Sequence, residues 1–266
     1  MADLLPHPGL VKYARGYSTQ ELSTLSDRGE SVYADPITIT HENVILEGYA
    51  VWQLAKLQNR ATLTCIVRHM DHEESLLHLL DRNRGSKGLG DYVRILMALE
   101  LEPWFKERAK SNQRVGGREK GSTQLAEADR LDVRIEIARA AGVSAGNISK
   151  VKKILQSATP ELQSALCAGE IKINRGAVWA KSAASTQLQY LANHRTERGV
   201  RRTINILLRK HEVRHPHICE GLREIQRGLT KLHADTCLFP LSSALYGVLR
   251  EVDSLLGRSE RRDGAA

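Results

Sequence analysis

Residues 137–155 read IARAAGVSAGNISKVKKIL, and the order of small, apolar and basic side chains in this stretch decides the fold of the chain's second half. Ala138, Gly142, Ile148 and Val151 follow one another at steps of four, six and three. That spacing predicts two short helices meeting at a turn. Ala138 lets the second helix cross the first closely, Gly142 supplies a left-handed turn residue, and Ile148 and Val151 plug the second helix onto the first. Ile137 and Val143 are expected to fill the remaining buried positions. Ser144 stands where an N-cap belongs, a contribution of about 1 kcal/mol.

With the plugs turned inward, the second helix presents Ala145, Gly146, Asn147, Ser149, Lys150 and Lys153 outward. Recognition helices aim their N-terminal residues at base edges. Asn147 has the donor–acceptor pair for adenine, and Ala145 and Gly146 permit close approach or touch a thymine methyl. Ser149, Lys150, Lys152 and Lys153 suit phosphates, the Arg175 region further on holds the backbone, and Ser144 completes the expected DNA-binding set. The alternative is an ordinary helical hairpin with a solvated basic face. A formal charge of +8 over 266 residues argues for an anionic partner, with double-stranded DNA first in line.

Upstream the period changes. Residues 1–19 show no periodicity and read as a flexible arm. From Asp35, PITIT suggests a strand, His41-Glu42-Asn43 a turn and Val44-Ile45-Leu46 a return strand. Gly48 opens a helix, Thr62–Arg68 reads as a third strand, and Asp71 with Glu74 has the spacing of a capping box before a leucine-rich helix. The helix after the basic, glycine-rich Arg82–Gly90 is expected to bury Tyr92, Ile95, Leu96 and Leu99, with Trp104 and Phe105 at its end. KSNQRVGGREKGSTQ, 110–124, reads as a basic linker. The predicted organisation is an α+β, helix-rich chain: a small α/β domain over 20–109, a linker over 110–124, an all-α helix–turn–helix domain over 125–185 and a helical region over 195–266. In the helical part, Thr159-Pro160 should start a helix, Gly169 end it and Asn174 cap the next.

The C-terminal region carries an Arg-rich run, 195–214, that serves either as a second phosphate-contacting strip or as a solvated helix face. Apolar positions over 218–232 and 241–256 predict an αα-hairpin whose exposed side invites a homodimer. Of His211, His215, His217, Cys219, His233 and Cys237, the first two stand i,i+4 as two ligands on one helical face would, but Pro216 interrupts that helix and no clean ligand frame follows, so no metal site is expected. The four scattered cysteines do not form a disulfide framework. No apolar run is long enough to span a bilayer and the N-terminus lacks a signal-peptide core, so a cytoplasmic, nucleoid-associated protein is expected.

Taken together, DPITIT…VILEGYAVWQLAKLQNRATLTCIVR, RNRGSKGLGDYVRI, DVRIEIARAAGVSAGNISKVKKIL and GEIKINRGAVWAK (169–181) resemble the ParB-type partition protein family, from about Glu21 to Lys181. The likeness is greatest to ParB-like proteins of phages and mobile elements. It implies a ParB/sulfiredoxin-like N-terminal domain before a helix–turn–helix, with a role in plasmid, phage or chromosome partition or associated transcription regulation. It also implies a homodimer and a partition ATPase as partner. The alternative it raises is a CTP-dependent DNA clamp or nuclease-like enzyme, which would place phosphate or nucleotide at Gly48, Arg82, Asn83, Arg84 and Lys87. Three departures stand against that alternative. Gly48-Tyr49-Ala50-Val51 lacks the family's two phosphate-binding arginines, Arg82-Asn83 replaces its Glu-Asn pair, and the Gly48 loop lacks a sulfiredoxin cysteine. An arginine cannot ligate Mg²⁺. No cofactor and no catalytic residue is therefore expected.

Overall fold

The structure, a computed structural model, describes residues 3–13, 16–84, 89–118, 132–211, 216–231, 244–245 and 247–254. The chain divides into two compact units, Met1–Val178 and Trp179–Ala266. It is helix-rich, with one small mixed sheet among the described residues.

In the first unit β2 (Ile37–Thr40) and β3 (Val44–Glu47) form an antiparallel pair around the expected turn. Asn43 takes the left-handed conformation at φ 63°, and the Thr40 hydroxyl accepts from the amides of Glu42 and Val44, both at 3.2 Å. β4 (Cys65–Arg68) lies parallel to β2 and is shorter than the run Thr62–Arg68 suggested. With β1 at Leu5–Pro6, the strand order is β1-β3-β2-β4. The outermost strand, β1 (Leu5–Pro6), runs parallel to β3 and belongs to the segment expected to be a flexible arm. That expectation is corrected: α1 (Pro8–Tyr13) follows directly, and His7 and Leu10 are buried. A two-residue strand and a six-residue helix are too short to display a period.

A capping box formed by Ser18 and Glu21 opens α2 (Thr19–Ser26). α3 (Tyr49–Leu57) starts at Gly48, φ 86°, where a Cβ would come within 2.4 Å of Ile37 Cγ2. Only glycine fits there, and its reason is the packing of helix on sheet. Trp52 lies against Ile37, Ile39 and Ile45. α4 (His72–Arg82) begins with the predicted Asp71–Glu74 box, both hydrogen bonds made.

α5 (Asp91–Glu100) buries every residue from Tyr92 to Ala98, the signature of a helix surrounded on all sides. α1, α4, α6 (Glu102–Arg118), α7 (Val133–Ala141), α8 (Ala145–Ser157) and α9 (Pro160–Cys167) all pack on it. Two expectations change here. The segment read as a linker over 110–124 is helical to Arg118, and residues 119–131 lie outside the described residues. Nor does a boundary there divide the packing, because α5 binds the sheet half to the helical half within one unit. Trp104 and Phe105 belong to α6, with Phe105 buried and Arg108 stacked on the Trp104 ring at 4.7 Å. α9 has its Thr159 cap and Pro160 start, and α10 (Ile173–Trp179) follows Gly169, φ 69°. Asn174 lies inside α10 rather than capping it.

The second unit is built on α11 (Ala184–His211) and α12 (Pro216–Lys231). Val200, Ile204 and Leu207 meet Leu222, Leu229 and Leu249 in one core cluster, with Leu245 packed at its edge. Leu222, Leu229 and Leu249 of the apolar face that suggested a homodimer are thus covered by the same chain, while Ile218 and Val248 of that face stay exposed. The turn expected around Cys237–Pro240 lies outside the described residues, as do His215, His233 and Cys237. Among the described residues no His, Cys, Asp or Glu cluster could hold a metal, and no helix is long and apolar enough to cross a membrane.

Candidate nucleic-acid interface

α7 is opened by Asp132, whose carboxylate accepts from the amides of Arg134 and Ile135. It is closed by Gly142 at φ 64°, with Gly142 N–H donating to Arg139 O at 3.1 Å and Val143 N–H to Ala138 O at 3.0 Å. Those two bonds make a Schellman closure, which needs the left-handed residue that the sequence supplied. Two guanidinium groups gather at this C-terminal end, where the helix dipole favours cations. Arg84 donates from Nη2 to Arg139 O at 3.0 Å, and its stem together with Arg94 Nη1 lies 3.2–3.3 Å from where a Gly142 Cβ would stand. Arg84 is thus a strut beneath the turn, not the free phosphate ligand its motif suggested.

Ile148, Val151 and Ile154 of α8 are completely buried, as are Ile137 and Ala141 of α7, and α8 packs on α7 and on α5. Val143 is only half-buried. Ser144 occupies the N-cap position with extended backbone, yet its side chain makes no capping hydrogen bond. The stabilisation expected of that hydroxyl is absent, and Ser144 stays exposed at the amino end of α8.

At about 100° per residue, Gly146, Ser149, Lys150 and Lys153 share one arc of α8, opposite Val151. Gly146, Lys150 and Lys153 are exposed, and Ser149 is half-buried. Asn147 falls about 40° from Val151, between that plug and Ile154, so it lies half-buried on the plug side of the helix and not on the outward arc expected of it; Ala145 flanks the arc, also half-buried. Lys150 Nζ donates to Asn174 Oδ1 at 2.6 Å, which brings the start of α10, including exposed Arg175, against the outer edge of α8. Asn174 had no assigned part in the sequence beyond a cap, because its partner is 24 residues away.

Lys152 is half-exposed and paired within the chain. Its ammonium pairs with Glu102 at 2.8 Å, clamping α8 to α6, and this hydrogen bond is the leading reason the Glu102 carboxyl lies below the usual range. A phosphate at Lys152 would therefore have to compete with the Glu102 carboxylate.

A cavity of about 560 Å³ lies in the first unit between Tyr17, Tyr49, Glu47, Arg82, Asn83 and Gly90. It is large enough for a nucleotide. Among the described residues its lining offers no unpaired cation to a nucleoside triphosphate: Arg82 Nε and His78 Nε2 both bind Glu47 Oε1, at 2.8 and 2.7 Å. Glu21 adds a second carboxylate to the lining, and Tyr49, Ala50 and Val51 contribute no cation. The Asn83 amide donates to Leu79 O at 2.8 Å, ending α4. Lys87 lies outside the described residues. Cys167 also lines the cavity, and burial pushes its thiol, like that of Cys65, up and away from the nucleophilic thiolate.

No protein-family profile matches the chain. None of the curated proteins is significantly similar to it in sequence. Among solved structures, the C-terminally truncated chromosome-partitioning protein ParB from Caulobacter crescentus, complexed to the centromeric parS site, is similar at 19% identity. That match covers 71% of this chain and 87% of the other, with a TM-score of 0.39. The same truncated protein complexed with CTP-gamma-S is similar at 20% identity over 68% and 89% of the two chains, with a TM-score of 0.27. Likeness at this level assigns no ligand to the chain.

Proposed function

We propose that this chain is a sequence-specific DNA-binding protein that acts in partition of a plasmid, phage or chromosome, or in associated transcription regulation. In this reading α7 and α8 form a DNA-binding helix–turn–helix, and α8 enters the major groove by its N-terminal half. Ala145, Gly146 and Asn147 approach base edges, while Ser144, Ser149, Lys150, Lys153 and Arg175 take phosphates. One observation carries the reading: the outward arc of α8 is small, polar and basic, whereas its inward arc is completely buried. The motif resemblance from Glu21 to Lys181 supports the choice of process. The CTP-driven alternative gains nothing from the charge of the cavity.

The test is selection of bound duplexes from a random pool, followed by genome-wide immunoprecipitation. A reproducible motif clustered on the protein's own replicon supports partition, and sites at promoters support regulation. Inverted repeats with half-sites about 34–36 Å apart would indicate that two copies bind together. A pool that yields no motif, with Asn147→Ala and Lys153→Ala as inert as wild type, refutes the reading.

A further inference from the structure

α11 carries a second cationic surface, in the unit that lacks α8. Arg198, Arg202 and Arg209 are all exposed. At 100° per residue they fall within an arc of about 40°, spread over about 16 Å of helix. Val200, Ile204 and Leu207, which are buried in the core cluster, occupy the opposite side of the same helix. The only acidic residue of α11, Glu197, lies off the stripe and is paired with Arg201 at 2.8 Å. Among the described residues none of the three arginines has an ion-pair or hydrogen-bond partner. Like charges aligned on a rigid rod repel one another, so the row is unfavourable for the isolated chain and would be relieved by a polyanion.

We infer that this arginine row binds the phosphate backbone of duplex nucleic acid without reading its sequence, as a second contact surface beside the one proposed for α8; it rests on that DNA-binding reading. Arginine forks match phosphate oxygens bidentately. No aromatic side chain interrupts the row, so base stacking, and with it a preference for single strands, has no platform. A membrane-surface helix joins its basic face to an open apolar face, whereas the apolar face of α11 is covered by α12 and Leu249.

The experiment uses the full chain and fluorescence anisotropy with a random-sequence duplex and a selected one, across a salt series. The variant is Arg198→Gln/Arg202→Gln/Arg209→Gln, whose fold is checked by circular dichroism. Affinity for both duplexes is expected to fall about tenfold or more at 0.1 M salt, with the slope of log affinity against log salt shallower by about 2–3. The preference for the selected site should persist. Unchanged affinity and slope in the triple variant, with Asn147→Ala still relaxing sequence choice, would overturn the inference and leave the α8 reading standing. The reverse pattern would leave the arginine row standing and overturn α8. Competition by poly-glutamate or by anionic phospholipid vesicles as strong as that by duplex would also overturn it.

Discussion

Gly142 sits at φ 64° with Arg84 and Arg94 pressed beneath it, so a methyl group there meets both backbone strain and crowding. Gly142→Ala is expected to destabilise the first unit by about 1–3 kcal/mol, read from urea unfolding. A second residue sets the acid limit. His7 Nδ1 accepts from Gly9 N–H at 3.1 Å, which puts the ring proton on Nε2, within 3.3 Å of the Ser75 hydroxyl. Burial, then the neighbouring His72, lowers its pKa to about 4, against a weaker opposing pull from Glu100. The unfolded chain therefore takes up a proton near pH 6.5 that the folded chain refuses until about 4. Stability is full above 6.5 and is lost as the pH falls toward 4, by at most about 3.5 kcal/mol. In His7→Gln that slope should flatten between pH 6.5 and 4.5, above the range of the paired carboxylates; an unaltered slope would discount the histidine. Gly142 was legible in the sequence because a turn glycine is dictated by local geometry. The burial of His7 was not, because Ser75 lies 68 residues away.

At the scale of elements, two neighbouring lysines of α8 differ in whether their charge is already paired within the chain. Lys152 joins α8 to α6 through Glu102, and Lys153 lies on the exposed arc. Lys152→Ala should lower stability by about 0.5–1 kcal/mol and leave DNA affinity unchanged. Lys153→Ala should do the opposite: unchanged unfolding, weaker binding to every duplex, and a salt slope shallower by about 1. Equal effects of both changes in both assays would contradict the assignment. Helices with a period and a cap, such as α4 and α9, could be read from their own residues, and so could the buried plugs of α8. α6 could not, because Gly116-Gly117 in a basic run has the composition of a loop while the helix runs through it. Arg84 and Lys152 likewise carried the composition of phosphate ligands. Their real partners, Arg139 O and Glu102, lie on other elements that only tertiary packing brings near.

At the scale of the molecule, the decisive element is α5, and the sequence hid its role in plain sight. Of its buried run from Tyr92 to Ala98 the sequence marked only Tyr92, Ile95 and Leu96; Arg94 in the middle is charged, Leu99 is only half-buried, and a helix covered all round announces only that something surrounds it, not what. The surrounding elements come from both sides of the expected linker: α1 and α4 before it, α7, α8 and α9 after it. A chain of two separate domains would let the sheet half and the helix pair unfold apart, whereas one shared core couples them. Ile95, completely buried in α5, tests the difference. Ile95→Ala should cost about 2–5 kcal/mol. Hydrogen exchange should then show the amides of β2 and of α7 losing protection by the same free energy, since both depend on the same cavity-bearing core. Loss confined to β2, with α7 unmoved, would restore the boundary at 110–124. It would also free the proposed DNA-binding helices from the sheet, so that a ligand in the cavity near Glu47 would have no mechanical route to the turn at Gly142. With the shared core intact, that route is short. Arg82 and Asn83 line the cavity, and Arg84, the next residue, holds the end of α7.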